Sequence, residues 1–542
     1  MINFYCKLEK NLMNMGAEQQ IKLDVIYNDE ESKGKTTREK VNNTLTEELF
    51  LGICAPIGSM KDEVIESLKS ILEKKYKYEV EILKLSDYIE EHKLEDFVQI
   101  EGRTDAFSKL IYKITQGNEI RKRYKNKSIL VELAIQKIHI SRLIDGKRIG
   151  DDEIPKIENL KTRRKCYIFN SIKNKEELLL LRRIYTENFY EFSVFSPLEE
   201  RKLNLRNKDL SSSEIEDIVD IDEYDNNEFG QNVRGTFTEG DFFLRVSEDN
   251  KGLLDEKIER YLHLIFESKI ITPTIAETAM YSAKSASGNS ACLSRQVGAS
   301  ITDEIGNLIS TGWNDVPKFG GNLYREGDLN DDRCSLKGYC SNDEHKDMLV
   351  EGIIESLKKD VEIKKIFDDS VGFQSIGIAE RLKKNLKNSK IKDLIEFSRS
   401  VHAEMHAIIS GSQLSGSKMI NGKLFCTTYP CHNCARHIIV AGIKEVYYIE
   451  PYVKSLCLTL HDDAITEDEN STEKVRILIF DGVAPRKYLT FFTNFAERKR
   501  DGKTLSLDYE TIKPKISKSL QALPTLEQQA IHSLRECGLI ND

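Results

Sequence analysis

The feature of this sequence that most restricts its fold is a cysteine pair in the segment TTYPCHNCARHII (427–439). Cys431 and Cys434 form a C-x-x-C pair directly after a proline, and His402 and Glu404 lie upstream in the segment VHAEMHAIIS. One imidazole and two thiolates are ligands that suit zinc and leave its fourth position open for water. Each segment starts a predicted helix, and a helix N-terminus favours the thiolate form that a metal needs. A fold that uses these residues as a metal site must therefore bring two helix starts together.

The order H-x-E … P-C-x-x-C is the signature of zinc-dependent nucleobase deaminases, in which the glutamate moves protons and does not bind the metal. A redox pair is disfavoured because the cysteines do not follow the first strand of a thioredoxin-like unit. A zinc protease is disfavoured because HAEMH has its glutamate at the wrong offset for H-E-x-x-H. A thiol pair with an unrelated histidine is the remaining alternative. We interpret the nearby residues that replace no ligand as packing or surface residues: Cys426, His406, His432 and His437.

Composition argues against several classes of protein. The net charge of -9 weighs against general affinity for nucleic acid, whose phosphates require a basic surface. The sequence has no apolar run long enough for a transmembrane helix, and its start, MINFYCKLEK, lacks the pattern of a secretory signal. We therefore expect a cytoplasmic protein that binds no membrane. Its 11 cysteines are then mostly free thiols, apart from any that bind metal.

Hydrophobic periodicity divides the chain into two α/β regions. An apolar strand from Leu49 to Cys54, a helix and the strand YEVEILKLS form a βαβ unit, which implies a parallel sheet. The strand KCYIFNSIK, followed by a helix, repeats the pattern. A second region begins near the helix-start signal Thr272-Pro273 and continues into a predicted hairpin that turns at Asp303–Asn307. The predicted segments are a disordered or loosely attached 1–45, an α/β domain at 46–265, a second domain at 266–525 and a polar C-terminal tail at 526–542.

A glycine-containing loop follows the first strand of the first region. A Walker A loop, G-x-x-x-x-G-K-[ST], cradles phosphates with backbone N–H groups and a lysine. Here Gly52 and Gly58 are one residue further apart, Ser59 stands where the lysine is expected, and Lys61 is displaced. Asn170 stands where a carboxylate for magnesium would be expected. A helix N-terminus after such a loop still binds phosphate. We therefore predict a domain that binds a nucleotide, ATP or a dNTP, without efficient phosphoryl transfer; the alternative is a loop that only packs.

Beyond these motifs, the region 272–490 resembles the deoxycytidylate deaminase family. The resemblance rests on SRQVGASITDEIGNLISTGWND, HAEMHAI and TTYPCHNCARHIIVAGIKEVYYIEPY. Over residues 48–490 the chain is similar to bacterial anti-phage dCTP deaminases, in which a kinase-like nucleotide-binding domain precedes the deaminase, and EPYVKS and GVAPRKY look like extensions of that group. The resemblance implies an α/β protein with a P-loop kinase-like parallel-sheet domain followed by a cytidine-deaminase-like three-layer α/β/α domain.

Carried over residue by residue, the resemblance implies that His402, Cys431 and Cys434 hold one zinc ion and that Glu404 moves protons. The substrate contacts that it implies are a sugar or base contact at Asn314, neighbours of the nucleotide at Ser294 and Arg295, and a ring that stacks on the pyrimidine at Tyr429. Guanidinium and ammonium groups bind phosphate oxygens. The cations that we expect at the substrate phosphates, with a solvated surface position as the alternative for each, are Arg295, Lys454, Arg486 and Lys487.

The expected activity is zinc-dependent hydrolytic deamination of dCTP, dCMP or both, which in the resembling group drains dCTP during phage infection. A housekeeping dCMP deaminase that supplies dUMP is the alternative, although the large first domain argues against it. A nucleic-acid-editing deaminase is disfavoured by the acidic balance, and a non-catalytic regulator by the intact motif. The expected partners are a small deoxycytidine nucleotide and further copies of the chain, and an inhibitory RNA or protein is left open. Cys334, Cys340 and His345 match no zinc spacing, so we interpret them as part of a loop or lid, with a second, structural zinc site as the alternative.

Overall fold

The computed structural model describes residue 36 and residues 45–145, 162–223, 227–364, 373–452, 455–493, 497–505, 507–520 and 522–540. Within these residues the strands form two six-stranded sheets and one two-stranded ribbon. Each large sheet packs against helices around its own hydrophobic core, so the chain folds as two α/β domains. In the part of the chain that the structure describes, no helix combines the length and the apolar character needed to cross a membrane.

The first sheet contains the predicted parallel strands. They are β1 (Leu49–Cys54), β2 (Glu79–Lys84), β3 (Lys165–Asn170), β4 (Phe189–Phe195) and β5 (Phe242–Arg245). Their order is β2-β3-β1-β4-β5, and all four pairings are parallel. Every residue of β1 and β3 is buried, as is usual for central strands of a parallel sheet that is covered on both faces. The predicted βαβ organisation of this region is thus confirmed.

Helices connect these strands and cover the first sheet. Their bounds are α1 (Lys61–Lys74), α2 (Leu85–Glu91), α3 (Asp105–Arg123), α4 (Ile129–Asp145), α5 (Lys175–Tyr185), α6 (Leu198–Arg206), α7 (Ser212–Glu223), α8 (Val233–Phe237) and α9 (Leu254–Phe266). The junction from β3 to α5 is short because Asn174 and Glu177 form a capping box at the start of the helix.

The second sheet begins with the predicted hairpin. Its strands are β6 (Gly298–Thr302), β7 (Leu308–Trp313), β8 (Lys423–Thr428), β9 (Glu445–Glu450), β10 (Ile465–Thr466) and β11 (Val475–Ile479). The order is β10-β11-β9-β8-β6-β7. Strands β6 and β7 pair antiparallel, and the turn between them closes where Asp303 N–H donates to Asn307 O at 2.9 Å. The pairs β8–β9, β9–β11 and β11–β10 are parallel.

The helices of this domain are α10 (Ile275–Ser287), α11 (Cys334–Lys337), α12 (Ser341–Lys359), α13 (Phe373–Lys387), α14 (Ala403–Ser415), α15 (His432–Val440), α16 (Cys457–Leu460) and α17 (Tyr488–Phe492). Glycines let two of them approach the sheet closely. A Cβ on Gly298 would lie 1.9 Å from a carbonyl oxygen of α10, and a Cβ on Gly312 would lie 2.3 Å from one of α14. The hairpin register places these two glycines on opposite faces, so the sheet lies between helices.

A short strand joins the two domains. After β11, the chain forms β12 (Gly482–Val483), which pairs antiparallel with β5 at the edge of the first sheet. Glu277 of α10 accepts a hydrogen bond from Val483 N–H at 2.9 Å, and Lys257 of α9 forms a 2.6 Å ion pair with Asp481. The second domain therefore completes the sheet of the first.

The C-terminal residues correct one predicted segment. A ribbon of β13 (Lys499–Arg500) and β14 (Lys503–Thr504) precedes helix α18 (Ala522–Glu536). Leu523, Ala530 and Leu534 of this helix are buried in the core of the first domain. Glu527 also forms an ion pair with Arg142, both of them buried. The prediction of a polar tail at 526–542 is wrong for the described part of that segment, because every third or fourth residue of the helix is apolar and packs.

Candidate metal centre and nucleotide loop

Two helix starts meet at the centre of the second domain, as the sequence predicts. His402 is the N-cap residue of α14, and Cys431 is the N-cap residue of α15. Cys431 Sγ accepts a hydrogen bond from Cys434 N–H at 3.4 Å, so the sulfur replaces the usual hydroxyl of a helix cap. Helix α14 is held against β7 through Gly312, and α15 follows β8 directly. The fold thereby fixes both segments independently of any ligand.

His402, Cys431 and Cys434 form a compact group that we call the metal cluster. The Nδ1 atom of His402 lies 3.3 Å from the sulfur of Cys431 and 3.3 Å from that of Cys434. The possible ligand atoms all lie within 4.8 Å of one another. Among the described residues, this is the one group of three or more histidine, cysteine or acidic side chains with such spacing. One nitrogen and two sulfurs match the ligand set of a zinc site that keeps one position open.

The electrostatics of the metal cluster also fit a metal site. A hydrogen bond with Cys434, together with the neighbouring His402, lowers the pKa of Cys431 to about 4 despite burial. Burial opposes the charged form of His402, but its hydrogen bond with Cys431 outweighs this and raises the pKa of His402 to about 9. Burial raises the pKa of the Cys434 thiol. The cluster therefore stabilises the Cys431 thiolate, the form that binds a soft cation, and His402 gives up its proton when it becomes a ligand.

Glu404 lies in the first turn of α14 and is almost completely buried. Burial raises its pKa, and the nearby Cys431 thiolate raises it further. A carboxyl group with a raised pKa can take up and release a proton near neutral pH. Glu404 is not one of the residues grouped as possible ligands. Its position beside the metal cluster but outside the ligand group agrees with the sequence pattern, which predicts a glutamate that does not bind the metal.

Asn314, Ser294 and Arg295 lie together beside the end of β7. Asn314 Nδ2 donates to Arg295 O at 2.9 Å, and Asn314 Oδ1 accepts from Val297 N–H at 2.7 Å. The side chain of Asn314 therefore shapes the loop that carries Ser294 and Arg295, both of which are exposed. Arg295 supplies the charge in this group. Its side chain is about half exposed and forms a 3.0 Å ion pair with Glu450.

Tyr429 lies on the chain between β8 and the cysteine pair. Its ring is buried and meets the ring of Tyr448 edge-on, with 4.8 Å between the centroids. Burial raises the pKa of its hydroxyl. The observed contacts pack the ring into the core of the second domain.

The structure directs Arg486 towards the first domain. Its guanidinium lies 2.5 Å from the buried carboxylate of Asp241 and donates to Gly240 O at 3.2 Å. Lys487 pairs with Glu187 of the first domain at 3.2 Å. These contacts do not support phosphate binding by either residue, because their charges are already paired between domains. Lys454, the remaining predicted phosphate ligand, lies outside the described residues.

The other histidines and thiols have structural contacts. His406 is buried, its Nδ1 accepts from Trp313 N–H at 3.2 Å, and its Nε2 lies 3.1 Å from Asn322 Oδ1. His437 Nδ1 lies 2.7 Å from Asn433 O within its own helix. Within the described residues, Cys334, Cys340 and His345 do not form a group with the spacing of metal ligands. His345 Nδ1 instead lies 2.9 Å from Ser341 O. The contacts of His406 and His437 agree with the packing or surface roles predicted for them, whereas Cys334 and His345 lie in helices α11 and α12, so the predicted loop is helical at these two residues.

Asp315 is a residue of the site that the sequence analysis missed. Its carboxylate accepts a hydrogen bond from Ala291 N–H at 2.9 Å, and its carbonyl accepts from Val401 N–H at 2.9 Å. It thereby joins the loop of Arg295 to the residue that precedes His402. Arg333 lies 3.9 Å from the same carboxylate. The only sequence signal was an acidic residue directly after the GWN segment.

The predicted residues of the glycine loop in the first domain differ in whether they can meet a ligand. Gly52 lies inside β1, where a Cβ would come within 2.6 Å of Ile172 and 2.7 Å of Phe189, so its small size serves packing. Gly58 has a φ of +82°, and Ser59 Oγ is buried without a hydrogen-bond partner in the described structure. Lys61 Nζ donates to Asn170 Oδ1 at 2.6 Å. The residues that can meet a ligand are therefore those that follow β1.

Comparison with known proteins addresses the second domain. Residues 273–450 match the family model for the cytidine and deoxycytidylate deaminase zinc-binding region. Over these residues the chain is similar to cytidine and deoxycytidylate deaminases. Deoxycytidylate deaminase of enterobacteria phage T2 is 27% identical over 180 residues, which are 33% of this chain and 82% of the phage protein. ComE operon protein 2 of Bacillus subtilis (strain 168) is 46% identical over 55 residues, 10% of this chain and 29% of that protein.

A solved structure shows a distant likeness to part of this chain. The dCMP deaminase from cyanophage S-TIM5, in complex with dCMP and dUMP, is 20% identical and covers 39% of this chain and 99% of its own. The TM-score is 0.22, too low for this likeness to define the fold.

Proposed function

We propose that this protein is a zinc-dependent hydrolase that deaminates deoxycytidine nucleotides. The observation that carries the proposal is the metal cluster beside a buried glutamate, inside the region that matches the deaminase family. The phage T2 relative is a deoxycytidylate deaminase and is matched over most of its length. The proposed reaction converts dCTP or dCMP and water to dUTP or dUMP and ammonia.

Glu404 is the proposed catalytic acid and base. Zinc, when bound by the metal cluster, lowers the pKa of a water ligand and so supplies a nucleophile near neutral pH. The Glu404 carboxylate takes the proton from that water as the oxygen bonds to C4 of cytosine. It delivers this proton to N3 and then moves the second proton, from the hydroxyl now on C4, to the amine, so that C4–N breaks, C4=O forms and ammonia leaves. Burial of Glu404 favours this exchange because a raised pKa lets the group both accept and donate.

We propose that the first domain binds a nucleotide through its loop and regulates the deaminase, and that the enzyme depletes dCTP as an antiviral defence. The resemblance of the whole chain to anti-phage dCTP deaminases motivates this assignment. The pairing of β12 with β5 supports communication between the domains, since the first sheet ends in a strand of the second domain. A housekeeping dCMP deaminase is the second candidate, and the name of the phage T2 relative favours it.

Oligomers, a cytoplasmic location and a small-molecule substrate also belong to this proposal. The net charge of -9 favours a free nucleotide over single-stranded nucleic acid as substrate. For Arg295, proximity to solvent and to the loop shaped by Asn314 supports a role beside the phosphates. Ser294 and the ring of Tyr429 remain proposed contacts of the nucleotide.

The test is nucleotide chromatography of purified protein incubated with dCTP, dCMP, CTP and a cytosine-containing oligonucleotide. Glu404→Gln serves as the matched control because it keeps the side-chain volume and removes the titrating group. We expect deoxycytidine nucleotides to become deoxyuridine nucleotides in the wild type only. Conversion of dCMP alone would favour the housekeeping candidate, and conversion of only the oligonucleotide would overturn the proposed substrate class.

A further inference from the structure

The loop between β1 and α1, residues 55–60, is in contact with an acidic side chain from a distant helix. Ile57 N–H donates to Asp222 Oδ2 at 2.7 Å. Asp222 lies near the end of α7 and is 1% exposed. In a phosphate-binding loop the residue before the second glycine directs its N–H at the ligand, and Ile57 holds that position before Gly58. A carboxylate of the protein thus occupies one of the donors that a phosphate would use.

A lysine completes this arrangement. Lys173 Nζ lies 2.7 Å from Asp222 Oδ1 and donates to Ala55 O at 3.0 Å. Its side chain is mostly buried. Asp222 therefore takes both a backbone N–H and an ammonium group, which are the two kinds of donor that bind a phosphate at such loops. The negative charge that the loop favours is already supplied from within the chain.

The opposite side of the loop is held by α6. Arg201 Nε donates to Ile57 O at 2.9 Å, and Asn204 Nδ2 donates to Gly58 O at 3.0 Å. Met60 N–H is bound by Ser196 Oγ at 3.1 Å. These contacts use the carbonyl oxygens of Ile57 and Gly58 and the N–H of Met60, and none of them involves Asp222. The loop would therefore keep its shape when the carboxylate leaves.

Helix α7 is held in place by residues before Asp222: Ile215 and Ile218 are buried in an apolar cluster with Phe107 and Leu205, and polar contacts lie at the surface and at the first turn. Asp217 forms a 2.8 Å ion pair with Arg103, and both side chains are substantially exposed. Glu214 accepts from Thr104 N–H at 2.7 Å. Exposed ion pairs of this kind stabilise a structure by only about 0–1 kcal/mol. Asp222 lies one turn beyond this cluster, so rotation of its side chain breaks its contacts with Ile57 and Lys173 and leaves the apolar packing of α7 in place.

We propose that Asp222 is a built-in competitor that occupies the loop and must be displaced before the phosphates of a nucleoside triphosphate bind there. This inference rests on the proposed nucleotide binding by the first domain and specifies how that binding is regulated. The carboxylate and the ligand use the same donors, so the ligand binds only to molecules in which the loop is open. The apparent affinity is therefore the intrinsic affinity multiplied by the open fraction. The ligand class is a nucleotide or polyphosphate, since the donors are those for phosphate oxygens.

The test is calorimetric titration of the full chain with inorganic tripolyphosphate and, separately, with ATP. Asp222→Asn and Asp222→Ala are compared with the unsubstituted chain, all in a Glu404→Gln background so that no substrate is consumed. We expect each Asp222 variant to bind tripolyphosphate at least about tenfold more tightly, as for a loop that is open in about a tenth of molecules or fewer. Stronger binding of ATP than of tripolyphosphate would show that the nucleoside adds contacts.

Two controls make the result specific. Asp217→Asn removes an acidic group from the same helix without touching the loop, and we expect its affinity to match that of the unsubstituted chain. Asp222→Asn with Lys173→Met should lose the gain, because the lysine that the ligand would use is gone. Equal affinity with and without Asp222, in variants that melt near the unsubstituted chain, would overturn the inference. A gain that persists without Lys173 would also overturn it, since the anion would then bind elsewhere.

The binding measurement is independent of the deaminase reaction. If the wild type does not deaminate but Asp222→Asn binds tripolyphosphate more tightly, the proposed function is contradicted and the inference stands. If the wild type deaminates but Asp222→Asn binds no more tightly, the proposed function stands and the inference is contradicted.

Discussion

The metal cluster and the loop at residues 55–60 occupy equivalent places in the two domains, at the carboxyl end of a strand and the start of a helix. Such places favour negative charge and commonly bind ligands. In the second domain the anion is a thiolate that faces an imidazole, with the possible ligand atoms within 4.8 Å of one another. In the first domain the anion is Asp222, already paired with Lys173. The comparison shows that the start of a helix can carry side chains arranged to bind a cation, as in the second domain, or can be occupied by an ion pair of the protein itself, as in the first.

The largest expected effect comes from removing a sulfur of the metal cluster. We expect Cys431→Ser to lower the zinc content of the purified protein from about one ion per chain to almost none, and to abolish deamination, because a hydroxyl is a poor zinc ligand. Elemental analysis of the protein measures the zinc. Cys334→Ser is the control, since that partly exposed thiol lies outside the cluster. Wild-type zinc content in Cys431→Ser would contradict the assignment of this residue as a ligand.

The next effect separates proton transfer from metal binding. Glu404→Gln should keep its zinc and lower kcat by roughly 10²- to 10⁴-fold, the usual contribution of a general acid and base. Steady-state deamination of dCMP and dCTP, with zinc measured on the same samples, checks this result. Glu396→Gln is the matched control because this exposed carboxylate lies 3.7 Å from His432 at the start of α15. If Glu404→Gln lost zinc together with activity, the carboxyl would be a ligand.

Much of the fold follows from local sequence. The strands β1 and β3 read as continuous apolar runs, and the hairpin turn is marked by Asp303 and Asn307. Helix α10 begins at Ile275, after Thr274 as its cap and not at Thr272, because the side chains of Thr274 and Glu277 form a capping box. These features depend on residues a few positions apart, which a pattern can show.

The parts that were missed depend on residues far apart in the chain. Phosphate binding was expected of Arg486, but the pairing of β12 with β5 brings it to Asp241, 245 residues away. Helix α18 looked like a polar tail because its apolar residues are spaced around a charged surface and find their partners only in the first domain. The contact of Asp222 with Ile57 spans 165 residues. The metal cluster was predictable because each of its two segments carries a specific motif, H-x-E at His402 and P-C-x-x-C at Cys431 and Cys434.

A third prediction tests the tie between the domains. Arg486→Ala should lower the free energy of unfolding by about 1–3 kcal/mol, because it leaves the buried Asp241 carboxylate with a weaker partner, Arg182 at 3.5 Å. Denaturant unfolding followed by fluorescence measures the loss. Lys487→Ala is the control, since its partner Glu187 is about half exposed and such pairs contribute about 0–1 kcal/mol. A raised KM with unchanged stability would instead support phosphate binding by Arg486.

The smallest effect concerns the buried His263, whose pKa is shifted in the direction opposite to that of His402. Burial lowers the pKa of His263 to about 4, and its Nδ1 lies 2.7 Å from Ser268 Oγ. The folded protein therefore keeps His263 neutral, while the unfolded chain takes up a proton below its ordinary pKa of 6.5. Stability from this residue is complete above pH 6.5 and is lost as the pH falls towards 4. No thiolate faces this ring to hold a proton on it, in the described contacts of the residue.

We expect the wild type to lose about 1–2 kcal/mol of stability through His263 between pH 7 and pH 5, and His263→Gln to lose correspondingly less. Unfolding midpoints at the two pH values measure the difference. His532→Gln, on the surface of α18, should behave like the wild type. Equal pH dependence in His263→Gln and the wild type would mean that His263 is protonated in the folded protein, through Glu259 Oε1 at 3.2 Å. The contrast with His402 would then reduce to the identity of the anion, a carboxylate in one domain and a thiolate in the other.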